Sequence, residues 1–399
     1  MGGTGVSKIQ SKSKKSGKIG KVLSKLGFII TAAILGFFGG YSLDAFLGAF
    51  TKQYVQNDSI FVKVFVLIIL LSVFVILYLL QILIHEAGHL IFGLMTGYTF
   101  VSFRVASFII IKEEGRLKLM RYNIPGTGGQ CLLMPPEMSN GQFPFLIYNL
   151  GGVLVNLIVS IVSILIIIFA KGLPFPVHTV LILFSIAGIF AVLTNSIPMK
   201  IGGISNDAHN IVSMIRDENA RIGFHTQLRV NGLQSQGMRI KDIPLETFYI
   251  DPDADLSSPL NTSMKLMEHT WYLDNCDFEM AQEVLDALVP YTKDVIELYK
   301  YEINMERIFL ELIGDCNKKF IDNLYDKNIR KYIKSAKHMI DKKRFLMAYQ
   351  AFYNDNKHRA LKHYKEIQEM ADNYPIKGEA EMELMLAGNI RDMLNREEV

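Results

Sequence analysis

His85 and His89 stand four residues apart, with Glu86 directly after the first, in the stretch Ile82-Leu83-Ile84-His85-Glu86-Ala87-Gly88-His89-Leu90. Residues at i and i+4 share one face of an α-helix, so both imidazoles can reach a single zinc ion. A carboxylate beside them suits a general base that takes a proton from the water at the metal's open position. The motif also closes a long apolar run. Ionisable side chains are costly there and are kept for function. Such a site still lacks a third ligand, and a substrate must be able to reach it.

The elements that position the motif come next. From Val64 to Ile84 there are 21 residues without a formal charge, enough at ~1.5 Å per residue to cross a ~30 Å hydrocarbon core. Runs of this kind predict four membrane spans, over 26–50, 61–97, 144–170 and 177–198. Glycines 36, 39 and 40 in the first, and Gly151-Gly152 with Asn156 in the third, read as close helix packing and an interhelical hydrogen bond. Seven lysines and no acid occupy residues 1–25, which reads as a basic cytoplasmic tail beside anionic lipid. Arg104, Lys112, Arg116, Lys118 and Arg121 follow the second span, so its end, with the motif, is expected on the cytoplasmic side. Residues 98–134 read as a β-rich segment: a strand over 98–111, a turn at Glu113-Glu114-Gly115, a strand over 117–122 and an irregular third strand over 126–136. Gly128 and Gly129 there permit a close backbone approach, and a sheet edge can take up an extended peptide as an added strand.

The fourth span ends in Asn195-Ser196-Ile197-Pro198, and Asp207 follows it back on the same side as the motif. That brings a carboxylate to the depth at which the motif sits. In the order His85-Glu86-Ala87-Gly88-His89, Gly128-Gly129, Gly152 with Asn156, then Asn195, Pro198 and Asp207, the chain resembles the site-2 protease family of intramembrane zinc metalloproteases over residues 60–220. The resemblance implies that His85, His89 and Asp207 ligate one catalytic Zn2+, with His209 and Asp44 as competitors for the third place, that Glu86 is the general base, and that Asn195 polarises the scissile carbonyl. It implies cleavage in or near a membrane-spanning segment of an anchored regulator, a signal peptide or a precursor peptide. Three departures stand out. Val153 replaces the usual proline, Met199 to Asn206 lengthen the stretch before Asp207, and Ala208 takes the place of glycine.

Composition changes sharply after residue 200. The overall hydrophobic fraction of 50% hides a charged, soluble half. A net charge of +3 gives no case for a nucleic-acid partner. Three cysteines with no paired spacing (Cys131, Cys276, Cys316) imply neither a disulfide framework nor a cysteine metal site. After the metalloprotease domain, 26–220, residues 221–262 contain six Gly or Pro and read as a linker. Residues 263–399 read as helical. Aspartates at 277, 315 and 355 suggest helix hairpins similar to tetratricopeptide repeats, with an irregular bundle as the other reading. The expected class is thus an α-helical polytopic membrane protein with about four spans, a small sheet insertion and an all-α cytoplasmic domain. That domain would dock a regulator. The bilayer and a membrane-embedded substrate are the other expected partners, in a cell membrane that is bacterial by composition. The competing function is a catalytically inactive scaffold that binds membrane helices and docks partners.

Overall fold

In the computed structural model, residues 60–113, 115–122, 128–201 and 204–396 are described. The basic tail, the expected first span over 26–50 and Asp44 lie outside the described residues. The described chain forms two compact units, one from residues 60–97 with 144–213 and the other from 98–143 with 214–396.

The first unit holds three helices long and apolar enough to cross a membrane: α1 (Ile60–Met95), α2 (Phe145–Phe169) and α3 (Phe175–Ser196). Their uncharged runs leave rows of large apolar side chains exposed, such as Phe65, Ile69 and Ile76 on α1 and Ile158, Ile161 and Leu165 on α2. That surface suits lipid rather than water. Small residues decide how closely α1 and α2 approach. A Cβ added at Gly151 would lie 2.6 Å from the Gly88 carbonyl oxygen, and one added at Gly88 would overlap the Gly151 carbonyl. Asn156 makes the interhelical bond expected of it, its Nδ2 donating to the backbone and side-chain oxygens of Gln81, each at 3.2 Å. After α3 comes a short antiparallel pair, β5 (Lys200–Ile201) with β6 (Ile204–Ser205). Helix α4 (Asp207–Arg216) follows.

The second unit combines a four-stranded antiparallel sheet with the C-terminal helices. Its strands β1 (Thr99–Val105), β2 (Phe108–Glu113), β3 (Arg116–Arg121) and β4 (Gly129–Met134) lie in the order β3-β2-β1-β4. The single strand expected over 98–111 is a hairpin instead. Val105 pairs with Phe108 across Ala106-Ser107, and Ala106 takes a positive φ of 50°. Alanine carries no signal for that conformation, but the buried Arg104 supports the turn by donating to the Ala106 carbonyl at 2.8 Å. Strand β2 turns Ile109 and Ile111 into one apolar core shared with the C-terminal helices. The sheet therefore groups with those helices, not with the membrane domain to which residues 98–134 were assigned.

The expected linker over 221–262 begins as a helix, α5 (Glu218–Ser235), capped by Asp217, which accepts from Asn219 N. Its glycines serve close packing rather than breaking. A Cβ at Gly223 would sit 3.2 Å from the Leu260 carbonyl oxygen, and one at Gly232 would sit 3.1 Å from Met134 Cβ. Beyond it run α6 (Pro259–Asp274), α7 (Phe278–Leu288), α8 (Glu297–Ile313), α9 (Lys318–Leu324), α10 (Lys327–Ser335), α11 (Ile340–Ala348), α12 (Lys357–Asp372) and α13 (Lys377–Arg396).

Three joints between these helices are built alike. Cys276, Cys316 and Asp355 each take a positive φ of about 50°. The next residue, Asp277, Asn317 or Asn356, then caps the following helix by accepting the amide hydrogen three residues on. The repeat is therefore marked by 277, 317 and 356, rather than by the aspartates at 277, 315 and 355. A second repeated feature runs through the core. His269, Glu306, Arg344 and Glu383, on α6, α8, α11 and α13, are spaced by 37, 38 and 39 residues. They form a buried ladder of alternating charge type, with contacts of 3.7, 2.8 and 2.6 Å between successive members.

Candidate metal centre

Helix α1 carries His85 and His89 on one face near its end, and both rings are buried. Each ring is fixed by α2. The His89 Nδ1–H donates to the Tyr148 carbonyl at 2.8 Å, which leaves the Nε2 lone pair facing away from that bond. His85 lies flat against a glycine. A Cβ at Gly152 would stand 2.5 Å from its Cε1, so any larger residue there would displace the ring. Its Nδ1 is buried with no hydrogen-bond partner, so no bond at that nitrogen helps to orient this imidazole.

The third member arrives from beyond α3. Asp207 Oδ2 lies 3.0 Å from His85 Nε2 and 3.5 Å from His89 Nε2, and the two Nε2 atoms are 3.1 Å apart. Among the described residues this is the one set of three His, Cys, Asp or Glu side chains whose ligand atoms lie within 4.8 Å of one another. Tetrahedral zinc with bonds of ~2.0–2.1 Å spaces its ligand atoms by ~3.3 Å, within the range of the three separations here. Two imidazoles and one carboxylate are also a donor set that zinc accepts. The residues fit the ion. Burial pushes the Asp207 carboxyl up, but the two imidazoles beside it outweigh that and hold it below the usual carboxylate range.

The long stretch before Asp207 is organised by a residue with no place in the motif. Asn206 Oδ1 accepts from Met199 N at 3.1 Å and from His209 N at 2.9 Å. Its Nδ2 donates to the carbonyls of Thr194 and Ile197 at 2.7 and 2.6 Å. One buried amide therefore caps α4 and ties its start to the end of α3. Asp207 occupies the first turn of α4, where the helix dipole favours an anion. The only sequence signal for this was an Asn directly before a helix with an acidic first turn.

The remaining candidates are placed differently. Glu86 is half-buried beside the pair, close enough to His89 for their charges to interact. Asn195 is half-buried at the end of α3, and its Nδ2 donates back to the Ala191 carbonyl at 3.0 Å. His209 is not one of the three ligands; its Nδ1 meets Ser213 Oγ at 3.3 Å. Burial, with Lys200 nearby, lowers its pKa to about 4. Gly128 and Gly129 belong to the second unit, where the Gly128 carbonyl accepts from Ala106 N at 2.9 Å and Gly129 pairs with Val105 in the sheet. Compared with protein-family models, with curated proteins and with solved structures, the chain matches none.

Proposed function

We propose that the chain is an intramembrane zinc metalloprotease of the site-2 protease kind. It hydrolyses a peptide bond in or near a membrane-spanning segment of an anchored regulator, a signal peptide or a precursor peptide. The observation that carries this reading is the third ligand. A carboxylate 122 residues from His85 in sequence lies 3.0 Å from its Nε2. The other support is where the pair sits, inside a helix apolar enough to cross a membrane.

His85, His89 and Asp207 would hold the ion and leave one position open. Bound there, zinc supplies Lewis acidity toward the scissile carbonyl and toward water. Glu86 takes the proton from the attacking water and returns it to the leaving amine. Asn195 uses one amide hydrogen on the Ala191 carbonyl, and its second is the one proposed to steady the developing oxyanion. The substrate helix must unwind first, because its own hydrogen bonds shield its backbone. The metal centre faces the cytoplasm in this reading, and the C-terminal helices are where a regulator docks.

The test is cleavage of membrane-anchored candidate substrates by the full-length protein in vesicles. Glu86→Gln removes the base and keeps the ligands, so turnover should fall by about 10²–10⁴-fold while zinc is retained. Cleavage at the wild-type rate would sink the protease reading. An array of membrane substrates that bind but are never cut would favour the inactive scaffold instead.

A further inference from the structure

Gln81 lies four residues before His85, on the same face of α1, and is fully buried in the middle of an apolar helix. Its amide holds both neighbouring spans at once. Oε1 accepts from Asn156 Nδ2 of α2 at 3.2 Å, and Nε2 donates to the Phe184 carbonyl of α3 at 3.1 Å. The backbone oxygen of Gln81 takes a second contact from Asn156 Nδ2, also at 3.2 Å. Space at this level is filled to its limit. A Cβ added to Gly188 would lie 2.7 Å from Gln81 Nε2 and would overlap Ser160 Oγ. With no water to compete, an amide in hydrocarbon keeps such bonds.

From this geometry we infer that Gln81 is a positioning residue for the metal centre, fixing the rotation and height of α1 against α2 and α3. The ligands need that lock. One residue of slippage turns a helix by ~100° and would carry both histidines away from Asp207. Tyr148 and Gly152 constrain the two rings locally, but Gln81 is one turn deeper and engages the span that leads to Asp207. This rests on the metal reading above. It adds that zinc affinity depends on a residue that touches neither the ion nor its ligands.

The test compares zinc affinity, by competition with a chromophoric chelator, in the full-length protein in detergent micelles. Gln81→Leu keeps the volume and removes the bonds, and should weaken zinc binding by about 10–100-fold, as loss of outer-shell support does. Gly188→Ala, which displaces the same amide from the α3 side, should weaken it in the same direction. Ser163→Ala is the control. It removes a bond of similar kind, from Ser163 Oγ to the Leu181 carbonyl at 3.1 Å, but between α2 and α3 only. That variant should lose thermal stability and keep its zinc affinity within about twofold. Wild-type affinity in Gln81→Leu overturns the inference, and so does an equal loss in Ser163→Ala, which would mean general loosening. A wild-type chain that takes up no zinc overturns the metal reading and this one with it.

Discussion

Both units bury amide and hydroxyl side chains, but the second also buries a set of charged ones. Inside the membrane-length helices the buried groups are amides and hydroxyls: Gln81, Asn149, Asn156, Ser160, Ser163 and Ser185. The exceptions among the described residues are His85 and His89. The other unit buries Arg104, Glu268, Asp274, Glu306, Lys342, Arg344 and Glu383. A group in hydrocarbon has no water to return to, so neutral hydrogen bonds serve as glue there and ionisable groups persist where chemistry needs them. In a unit without membrane-length apolar helices an ion pair can be enclosed if every partner is supplied. The same observation, a buried titratable side chain, therefore belongs to the proposed metal centre in one unit and to architecture in the other.

Cutting the ladder in the second unit is the strongest way to break that comparison. Arg344 is its central cation, bonded to Glu306 and Glu383 and stacked over the Phe309 ring at 3.9 Å. Arg344→Met strands two buried carboxylates and should cost about 3–5 kcal/mol of stability in this unit. Trp271, the single tryptophan, lies in the same unit and reports its unfolding. Zinc affinity should be untouched. A loss of zinc affinity in Arg344→Met would show that the two units do not keep their polar groups for separate purposes.

A smaller effect sharpens the contrast through pH. Burial raises the Glu379 carboxyl to about 8, with the charges of Asp341 and Glu383 adding to it. Raised in the fold, this carboxyl favours the folded state below its ordinary pKa and loses that contribution as pH climbs toward 8. Glu306 works the other way. Burial pushes it up, but Arg344 and His269 hold it at about 2, so its contribution is present at neutral pH and lost in strong acid. Glu379 is half-buried, so its share is on the order of 1 kcal/mol after solvent screening. Unfolding midpoints followed at Trp271 between pH 5 and 8 should fall in the wild type and flatten in Glu379→Gln. An unchanged slope in the variant would remove Glu379 from the account.

Legibility in the sequence followed the same division. Three of the four expected spans match described helices to within two residues at each end, because uncharged length alone decides them. His85 and His89 were legible as a pair from their spacing, and both lie buried on one face of α1. Asp207 was legible only through the family resemblance. Nothing local announces that a carboxylate past a long loop will return to the two histidines, since that return is made by the four bonds of Asn206. Gln81 was hidden for a simpler reason: one uncharged amide in an apolar run reads as part of the run. In the second unit, glycines misled. Gly223 and Gly232 looked like linker residues and are packing positions inside α5. The turn at Ala106 was invisible because alanine seldom takes a positive φ. The aspartates at 277, 315 and 355 marked one of the three alike joints, because the capping residue is Asn in the other two.

The central claim is that His85, His89 and Asp207 form one zinc site. Zinc content and affinity of the purified full-length chain, beside Asp207→Ala, test it most directly. The account predicts one zinc per wild-type chain and a loss of at least about tenfold in affinity without the carboxylate, since an open catalytic site depends on all three protein ligands. A wild-type chain that binds no zinc at saturation, or an Asp207→Ala chain that binds it as tightly as the wild type, would contradict it.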